Sequence, residues 1–455
     1  MADSYDVIVI GGGPGGYVAA IRAAQLGKKT AVVEKDKSGG RCLNYACIPA
    51  KTMLHSAEVY DDARNGEHLG IKVEGISIDW NALGERRASV SKTLSGGVEM
   101  LWKKNKIDKI EGEASLDSDA NVVVDGTTYE AGNVILATGS VATAIPGVEF
   151  GGRIVDTWGG WSFEEQPKKL AVVGAGASGS EIASAYARFG TDVTLIEMTD
   201  QILPLEEPEM AKVVARAFKK QGIDVRTGTK VEKVEAGEDS VKVTLGDDEL
   251  EVDFLCIAGG RRPDVEALKL DDAKIELEEN GRIKVDEYCR TSNEKVFAIG
   301  DIVRGPALAH KASEEGVVAV ETIAGKSAHP VDRDAIPGAT FCHPQVASVG
   351  LTEAQAKEAG HDVKTGKFKL GGVGAGPVYD DRDGMVKLVV DSEYGEILGA
   401  HIVGNRACDM IAELVAIKEL EGGYQELKSI IHPHPTISEA IPESARAVDG
   451  EAIHA

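Results

Sequence analysis

The chain has 455 residues, 43% hydrophobic and 27% charged, a composition that excludes disorder and, at roughly 150 residues per domain, implies about three domains rather than one core. Its formal net charge of −24 disfavours nucleic acid and anionic lipid as partners and suits a basic protein partner. No run approaches the ~20 consecutive apolar residues of a membrane span, and a strand-like run at residues 5–10 follows Met1 without a signal-peptide pattern, so a cytoplasmic protein, or one residing in an organelle after processing, with no membrane association is expected.

The first element is the strand VIVI (7–10), followed by GGGPGG (11–16), a helical stretch to Gly27 and a second strand, TAVVE (30–34). Strand, G-x-G-x-x-G, helix, strand and terminal acid form the dinucleotide-binding pattern. Gly11 permits the tight turn, Gly13 lets backbone approach a pyrophosphate, and Gly16 lets helix pack on strand. The free N–H groups and dipole of the helix N-terminus favour the diphosphate's negative charge, and Glu34 is placed to accept ribose hydroxyls.

GGRCLNYACIPAK (39–51) comes next, with Cys42 and Cys47 five residues apart. Pro49 and the run after it predict a helix beginning near here. Five residues of regular helix rise ~7.5 Å, beyond the ~4.4–6.8 Å Cα separation that a disulfide accepts. A bridge therefore needs a distorted first turn, and a strained disulfide is readily reduced. A helix N-terminus also favours thiolate. The alternative is two unrelated thiols of a reducing compartment. Cys256, Cys289, Cys342 and Cys408 are scattered and are expected to be inert.

A second nucleotide unit follows: LAVV (170–173), GAGASG (174–179), a helix to Gly190 and VTLIE (193–197). Gly174, Gly176, Gly179, Gly190 and Glu197 each lie 163 residues beyond Gly11, Gly13, Gly16, Gly27 and Glu34. Five matches at one offset mark an internal repeat, against the alternative of ligand-free glycine turns. Glu197 repels a 2′-phosphate, and Met198, Thr199 and Asp200 offer no arginine to hold one, which favours NAD over NADP. Near the C-terminus HPHPTISE (432–439) supplies a candidate base, His434, and a carboxylate, Glu439, able to fix its tautomer. Metal ligation by His432 and His434, or a plain loop, are the alternatives, and no metal is expected.

The segment 39–51 resembles the active-site stretch of the pyridine nucleotide–disulfide oxidoreductases, the flavin disulfide reductases, and within them most closely the dihydrolipoyl dehydrogenases, whose usual form is G-G-T-C-L-N-x-G-C-I-P-S-K. Arg41, Ala46 and Ala50 depart from it without removing a redox atom. The resemblance continues through ATGS (137–140), GGRRPD (259–264, with Asp264 for asparagine), FAIGD (297–301) and ALAHKA (307–312), then from residue 336 onward, with Cys342 and Gln345 for threonine and glutamate. Residues 371–381 lack the family's A-N-x-R-A pattern.

That resemblance implies an α/β fold: two Rossmann-like domains binding FAD and NAD plus a C-terminal α+β dimerisation domain. The expected divisions are 1–145 for the first part of the FAD domain, 146–266 for NAD, 267–335 for a central part that completes the FAD domain, and 336–455 for the interface. It implies catalysis by Cys42 as interchange thiol, Cys47 as flavin-side thiol, and His434 held by Glu439 across a cis His434–Pro435 bond, with Lys51 paired to Glu181. Gly11, Gly13, Gly16, Glu34, Lys51, Gly139, Asp301, Ala309 and His310 would bind FAD. Gly174, Gly176, Gly179, Glu197 and Gly260 would bind NAD. The implied activity is oxidation of protein-bound dihydrolipoamide by a homodimer, with a lipoyl domain and the acyltransferase core of a 2-oxo acid dehydrogenase or glycine cleavage complex as partners. A glutathione- or mercuric-type reductase, a reductase of another small disulfide, and a flavin-bound docking or redox-sensing scaffold are the competing readings.

Overall fold

The structure, a computed structural model, describes residues 4–454. They form two compact units. One comprises the chain up to Thr52, Asn81–Thr143 and Gly260–Val331; the other comprises Met53–Trp80, Ala144–Gly259 and the chain from Asp332 onward. Residues 260–266, allotted on sequence to the second nucleotide domain, group with the first unit, where Arg261–Pro263 pairs antiparallel with Ser140–Ala142.

In the first unit the strands Asp108–Glu111, Thr30–Glu34, Ser4–Ile10, Thr127–Leu136 and Val296–Ala298 lie side by side and parallel. The first strand reads as a continuous apolar run because both of its faces are covered. Val7 and Val9 enter a core that includes Ala19, Ala23, Trp102 and Val320, whereas Ile8 and Ile10 enter one that includes Leu116, Val122 and Ile302. The helix Pro14–Gln25 returns the chain to the second strand; Pro14 opens it where an N–H has no intrahelical partner anyway.

The second unit repeats this order, with Asp224–Arg226, Asp192–Ile196, Lys169–Val173, Phe254–Ile257 and Ile154–Val155 in parallel. One face of that sheet is covered by the helix Ala177–Phe189, in which Ile182, Ala183 and Tyr186 are buried. The other packs on a three-stranded antiparallel sheet through Val241, Val243 and Val252. Gly338–Thr340, Gln345–Gly350, Ile397–Gly404, Met385–Asp391 and Val363–Lys369 form a separate antiparallel sheet. Its core includes Val386, Leu388 and Ile402, with Ile411 and Leu414 of the helix Ala407–Glu419 and Ile441 and Ala445 of the helix Ala440–Ala447. Among the described residues no helix is long and apolar enough to cross a membrane.

Candidate active site

The repeat seen in the sequence is a repeat in hydrogen bonding. Gly11 N–H donates to the Val33 carbonyl at 2.8 Å, and Gly174 N–H to Ile196 at 2.8 Å. Gly12 N–H donates to Glu34 Oε2 at 2.7 Å and Asp36 N–H to Oε1 at 2.9 Å. Ala175 and Thr199 make the matching bonds to Glu197 at 2.7 and 2.9 Å. Each glutamate thus ties its glycine turn to the end of the second strand, a role the sequence did not disclose. An ionised carboxylate has about four acceptor positions, so capacity for ribose hydroxyls remains.

The glycines divide by function. A Cβ on Gly16 or on Gly179 would stand 1.8 Å from the carbonyl oxygen of Gly11 or Gly174. A Cβ on Gly13 or Gly176 would meet no protein atom within 4 Å. Those two therefore serve no packing need within the chain. They leave open the space before a helix N-terminus that a diphosphate fits. In the second cradle Glu197 N–H donates to the Arg226 carbonyl at 2.8 Å, yet the Arg226 guanidinium is engaged by Asp224 at 2.8 Å and Asp248 at 2.6 Å. This arrangement suits NAD, because that guanidinium is held by carboxylates and not offered to a 2′-phosphate.

The thiol pair lies where two helices meet. Cys42 sits in the short helix Gly40–Asn44, and Cys47 opens the helix Cys47–Asn65. Between them Tyr45 N–H and Ala46 N–H both bond to the Arg41 carbonyl, at 2.7 and 2.9 Å. The second of these bonds spans five residues, and this is the distortion that the spacing demanded. Asn44 fixes it: its amide donates to the Ser38 and Gly40 carbonyls at 3.1 and 2.9 Å and accepts from Ser95 Oγ at 2.9 Å. Pro49 falls in the first turn, where its missing N–H costs no helical bond.

All six cysteines are free thiols. The Cys42 thiol is pushed well up, first by its hydrogen bond to Cys47, then by burial and by charge on Cys47, with the Lys51 charge opposing. The two thiols are thus in hydrogen-bond contact, and the environment of Cys42 favours its protonated form. Burial and then Cys42 raise the Tyr17 phenol, so Tyr17 belongs to the same environment, a residue the sequence did not flag. Burial followed by the Asp156 charge pushes Cys256 up, and burial followed by Glu181 pushes Cys342 up. Both fit inert thiols.

Further candidate residues lie in the first unit. Gly139 has φ +77°, and its carbonyl accepts Asp264 N–H at 2.9 Å. Asp301 accepts Ser140 Oγ, and Arg261 Nε donates to that hydroxyl at 2.8 Å. Ala309 opens the helix Ala309–Ile323, with His310 exposed beside it. Gly260, with φ +131°, accepts Thr143 N–H at 3.1 Å within this unit rather than the second.

Glu181 is buried in the helix Ala177–Phe189, and its Oε1 accepts Phe341 N–H at 2.9 Å. His434 Nδ1 lies 2.9 Å from Glu439 Oε1, and Thr436 N–H donates to Glu439 Oε2 at 2.8 Å. Burial works against the Glu439 carboxylate, but the Thr436 N–H and His434 hold it below the usual range. An ionised acceptor at Nδ1 requires Nδ1–H, which leaves a lone pair on Nε2 of a ring that is 74% exposed. The His434–Pro435 bond is cis, as is His343–Pro344. His432 is a structural pin, with Nε2 2.8 Å from Glu413 and Nδ1 3.1 Å from the Ile430 carbonyl. In the divergent segment 371–381, a Cβ on Gly374 would lie 3.6 Å from His434 Cε1.

The pyridine nucleotide-disulphide oxidoreductase family model matches residues 5–316, and that family's dimerisation domain matches residues 336–445. A dihydrolipoyl dehydrogenase of Geobacillus stearothermophilus is 45% identical over 459 aligned positions, covering 99% of this chain and 97% of that protein. One of Rhizobium etli is 41% identical over the whole of both chains. Among solved structures, the HOCl-induced flavoprotein disulfide reductase RclA of Escherichia coli superposes with a TM-score of 0.87 at 27% identity, covering 96% of this chain and 98% of its own. LpdA of Mycobacterium tuberculosis gives 0.90 at 24% identity over 98% and 99%, a likeness of fold.

Proposed function

Because the chain belongs to the pyridine nucleotide-disulphide oxidoreductases, we propose that it oxidises protein-bound dihydrolipoamide to lipoamide and reduces NAD, as a dihydrolipoyl dehydrogenase. The observation that carries this reading is the coupled thiol pair, placed by a helix break directly behind the first nucleotide cradle. We assign FAD to the cradle of Gly11, Gly13, Gly16 and Glu34 and NAD to that of Gly174, Gly176, Gly179 and Glu197, with Gly139, Asp301, Ala309 and His310 toward the flavin and Gly260 toward the nicotinamide nucleotide. When bound, FAD relays an electron pair from sulfur to NAD.

The chain's own residues manage sulfur and protons. His434 Nε2 removes a proton from one substrate thiol, and the imidazolium is stabilised by Glu439. The resulting thiolate attacks Cys42 of the Cys42–Cys47 disulfide, which forms a mixed disulfide and frees Cys47 as a thiolate. The second substrate thiol attacks its partner sulfur, closing lipoamide and passing its proton to Cys42. Two electrons now reside on the enzyme as Cys42–SH hydrogen-bonded to Cys47–S⁻, an order in keeping with the hydrogen bond from Cys42 to Cys47 and then its burial. Lys51, whose charge opposes the upward push on Cys42, steadies this charge.

The reading includes a homodimer in which His434 serves the partner's disulfide, a lipoyl domain and acyltransferase core as partners, a cytoplasmic setting, and the four-part division at 145, 266 and 335. Steady-state oxidation of dihydrolipoamide, compared with reduction of glutathione disulfide, with NAD and NADP in turn, tests it. NAD-linked dihydrolipoamide turnover is the expected outcome, and faster NADPH-linked glutathione reduction overturns it. A second reading, a reductase of another small disulfide, draws on Gly374 beside His434 in the segment lacking A-N-x-R-A.

A further inference from the structure

The helix Ala309–Ile323 turns two charged side chains inward. Lys311 and Glu315 are 1% and 2% exposed, and their charged ends lie 3.2 Å apart. Both converge on one residue, Gly300, from the two peptide units that flank it. Lys311 Nζ donates to the Gly300 carbonyl at 2.8 Å, and Glu315 Oε2 accepts Gly300 N–H at 2.8 Å. Gly300 has φ +80°, the left-handed conformation that side chains disfavour. Asp301 follows it directly. The lysine stem is itself confined, since a Cβ on Gly305 would come within 3.0 Å of Lys311 Cε.

The same helix is locked to the first phosphate helix, Pro14–Gln25. A Cβ on Gly15 would stand 2.9 Å from the Ala312 carbonyl oxygen, and one on Gly316 would stand 2.8 Å from that of Gly15. One turn beyond this crossing, Arg22 Nε donates to Glu321 Oε1 at 3.0 Å. One rigid element thus touches both the turn that carries Asp301 and the helix whose N-terminus faces the diphosphate space. Packing alone does not call for an ion pair here, because burying two charges carries a desolvation cost that well-packed hydrocarbon avoids. What the pair does, and hydrocarbon cannot, is hold the N–H and the C=O of a single residue.

We propose that Lys311 and Glu315 are positioning residues for the flavin: together they clamp Gly300 through its N–H and its C=O, so that Asp301 is presented into the first nucleotide site at a fixed distance from the phosphate helix. This rests on the reading of that site as the FAD site, and the two fail separately. A parent protein that never binds FAD removes the reading. A yellow parent whose variants hold FAD unchanged removes the clamp.

The experiment compares the parent holoenzyme with Lys311→Met and Glu315→Gln. FAD dissociation constants are measured by reconstitution of deflavinated protein, flavin circular dichroism reports the ring's environment, and far-ultraviolet circular dichroism reports the fold. Lys311→Met is expected to weaken FAD by about tenfold or more, because one buried charge loses its partner. Its flavin band should change while the far-ultraviolet spectrum stays that of the parent. Glu315→Gln keeps size and an acceptor for Gly300 N–H but removes the charge, and is expected to weaken FAD by about threefold. It decides the matter if Lys311→Met does not fold. An unchanged FAD constant and flavin band in Glu315→Gln, or in a folded Lys311→Met, overturns the proposal.

Discussion

Replacing Lys387 by methionine should destabilise the second unit more than any surface change. Lys387 is fully buried on the strand Met385–Asp391. Its Nζ lies 2.8 Å from Glu207, 2.8 Å from Glu353 and 3.1 Å from Glu209. Ligand oxygens of those three carboxylates all lie within 4.8 Å of one another. At an effective dielectric of about 20, two like charges at that separation repel by roughly 3.5 kcal/mol. Lys357 still reaches Glu353 and Lys367 still reaches Glu209, both at 2.6 Å. Glu207, only 4% exposed, is the carboxylate left without a cation. Breaking one buried pair costs about 3–5 kcal/mol, which lowers the melting temperature by about 10 °C for a unit of this size.

The pH dependence has a definite sign. Lys357 first and Lys387 second hold Glu353 down to about 2 from 4.5. A depressed carboxylate contributes stability that is present above its unfolded value and lost as pH falls toward the folded one. Without Lys387 the carboxylates bind protons at higher pH, which relieves the repulsion, so the deficit should be full at about pH 7.5 and smaller at about pH 3.5, inside the window between 4.5 and about 2. His401, paired in register with Lys387, is pushed down first by burial and least by the Lys387 charge; methionine removes that last push, so His401 takes up its proton more readily in the variant, which also makes the deficit shrink as pH falls. Melting followed by far-ultraviolet circular dichroism at both pH values is the assay. A loss under about 1 kcal/mol at the higher pH, or an equal loss at both, refutes the reasoning.

The two cradle glycines should separate packing from ligand: Gly13→Ala is expected to fold as the parent does yet bind FAD about tenfold more weakly, whereas Gly16→Ala should impair folding. Equal behaviour of the two in melting and in FAD titration contradicts that division. Cys47→Ser should abolish the long-wavelength charge-transfer absorbance and Cys42→Ser should retain it; the reverse pattern would exchange their roles. His434→Gln should slow dihydrolipoamide oxidation by about a hundredfold or more while leaving NADH oxidation by artificial acceptors within about twofold. Parallel loss in both assays rules out a base.

What the sequence disclosed, it disclosed through local geometry. A glycine turn, its helix and its terminal acid occupy one short segment, so two copies at a fixed offset stand out. The cysteine spacing called for a broken helix, and the break lies at Tyr45 and Ala46. His434 and Glu439 are five residues apart and meet as expected. Other features depend on residues that only folding brings together. Lys387 finds Glu207 across 180 residues and Ser140 finds Asp301 across 161. Neither contact has a periodicity to betray it. The second role of Glu34 and Glu197 stayed hidden because its donors are backbone N–H groups, which every residue but proline carries.

The offset of 163 residues supplies a control that few proteins contain. Because the two turns share their backbone bonds, a substitution made at one and then at its twin meets the same peptide geometry in different surroundings. Gly12 lies under Trp102, where a Cβ would come within 3.0 Å of the indole, whereas its twin, Ala175, already carries a methyl group. Any disparity in tolerance between such twins measures the neighbourhood and the occupant, with the turn itself subtracted out.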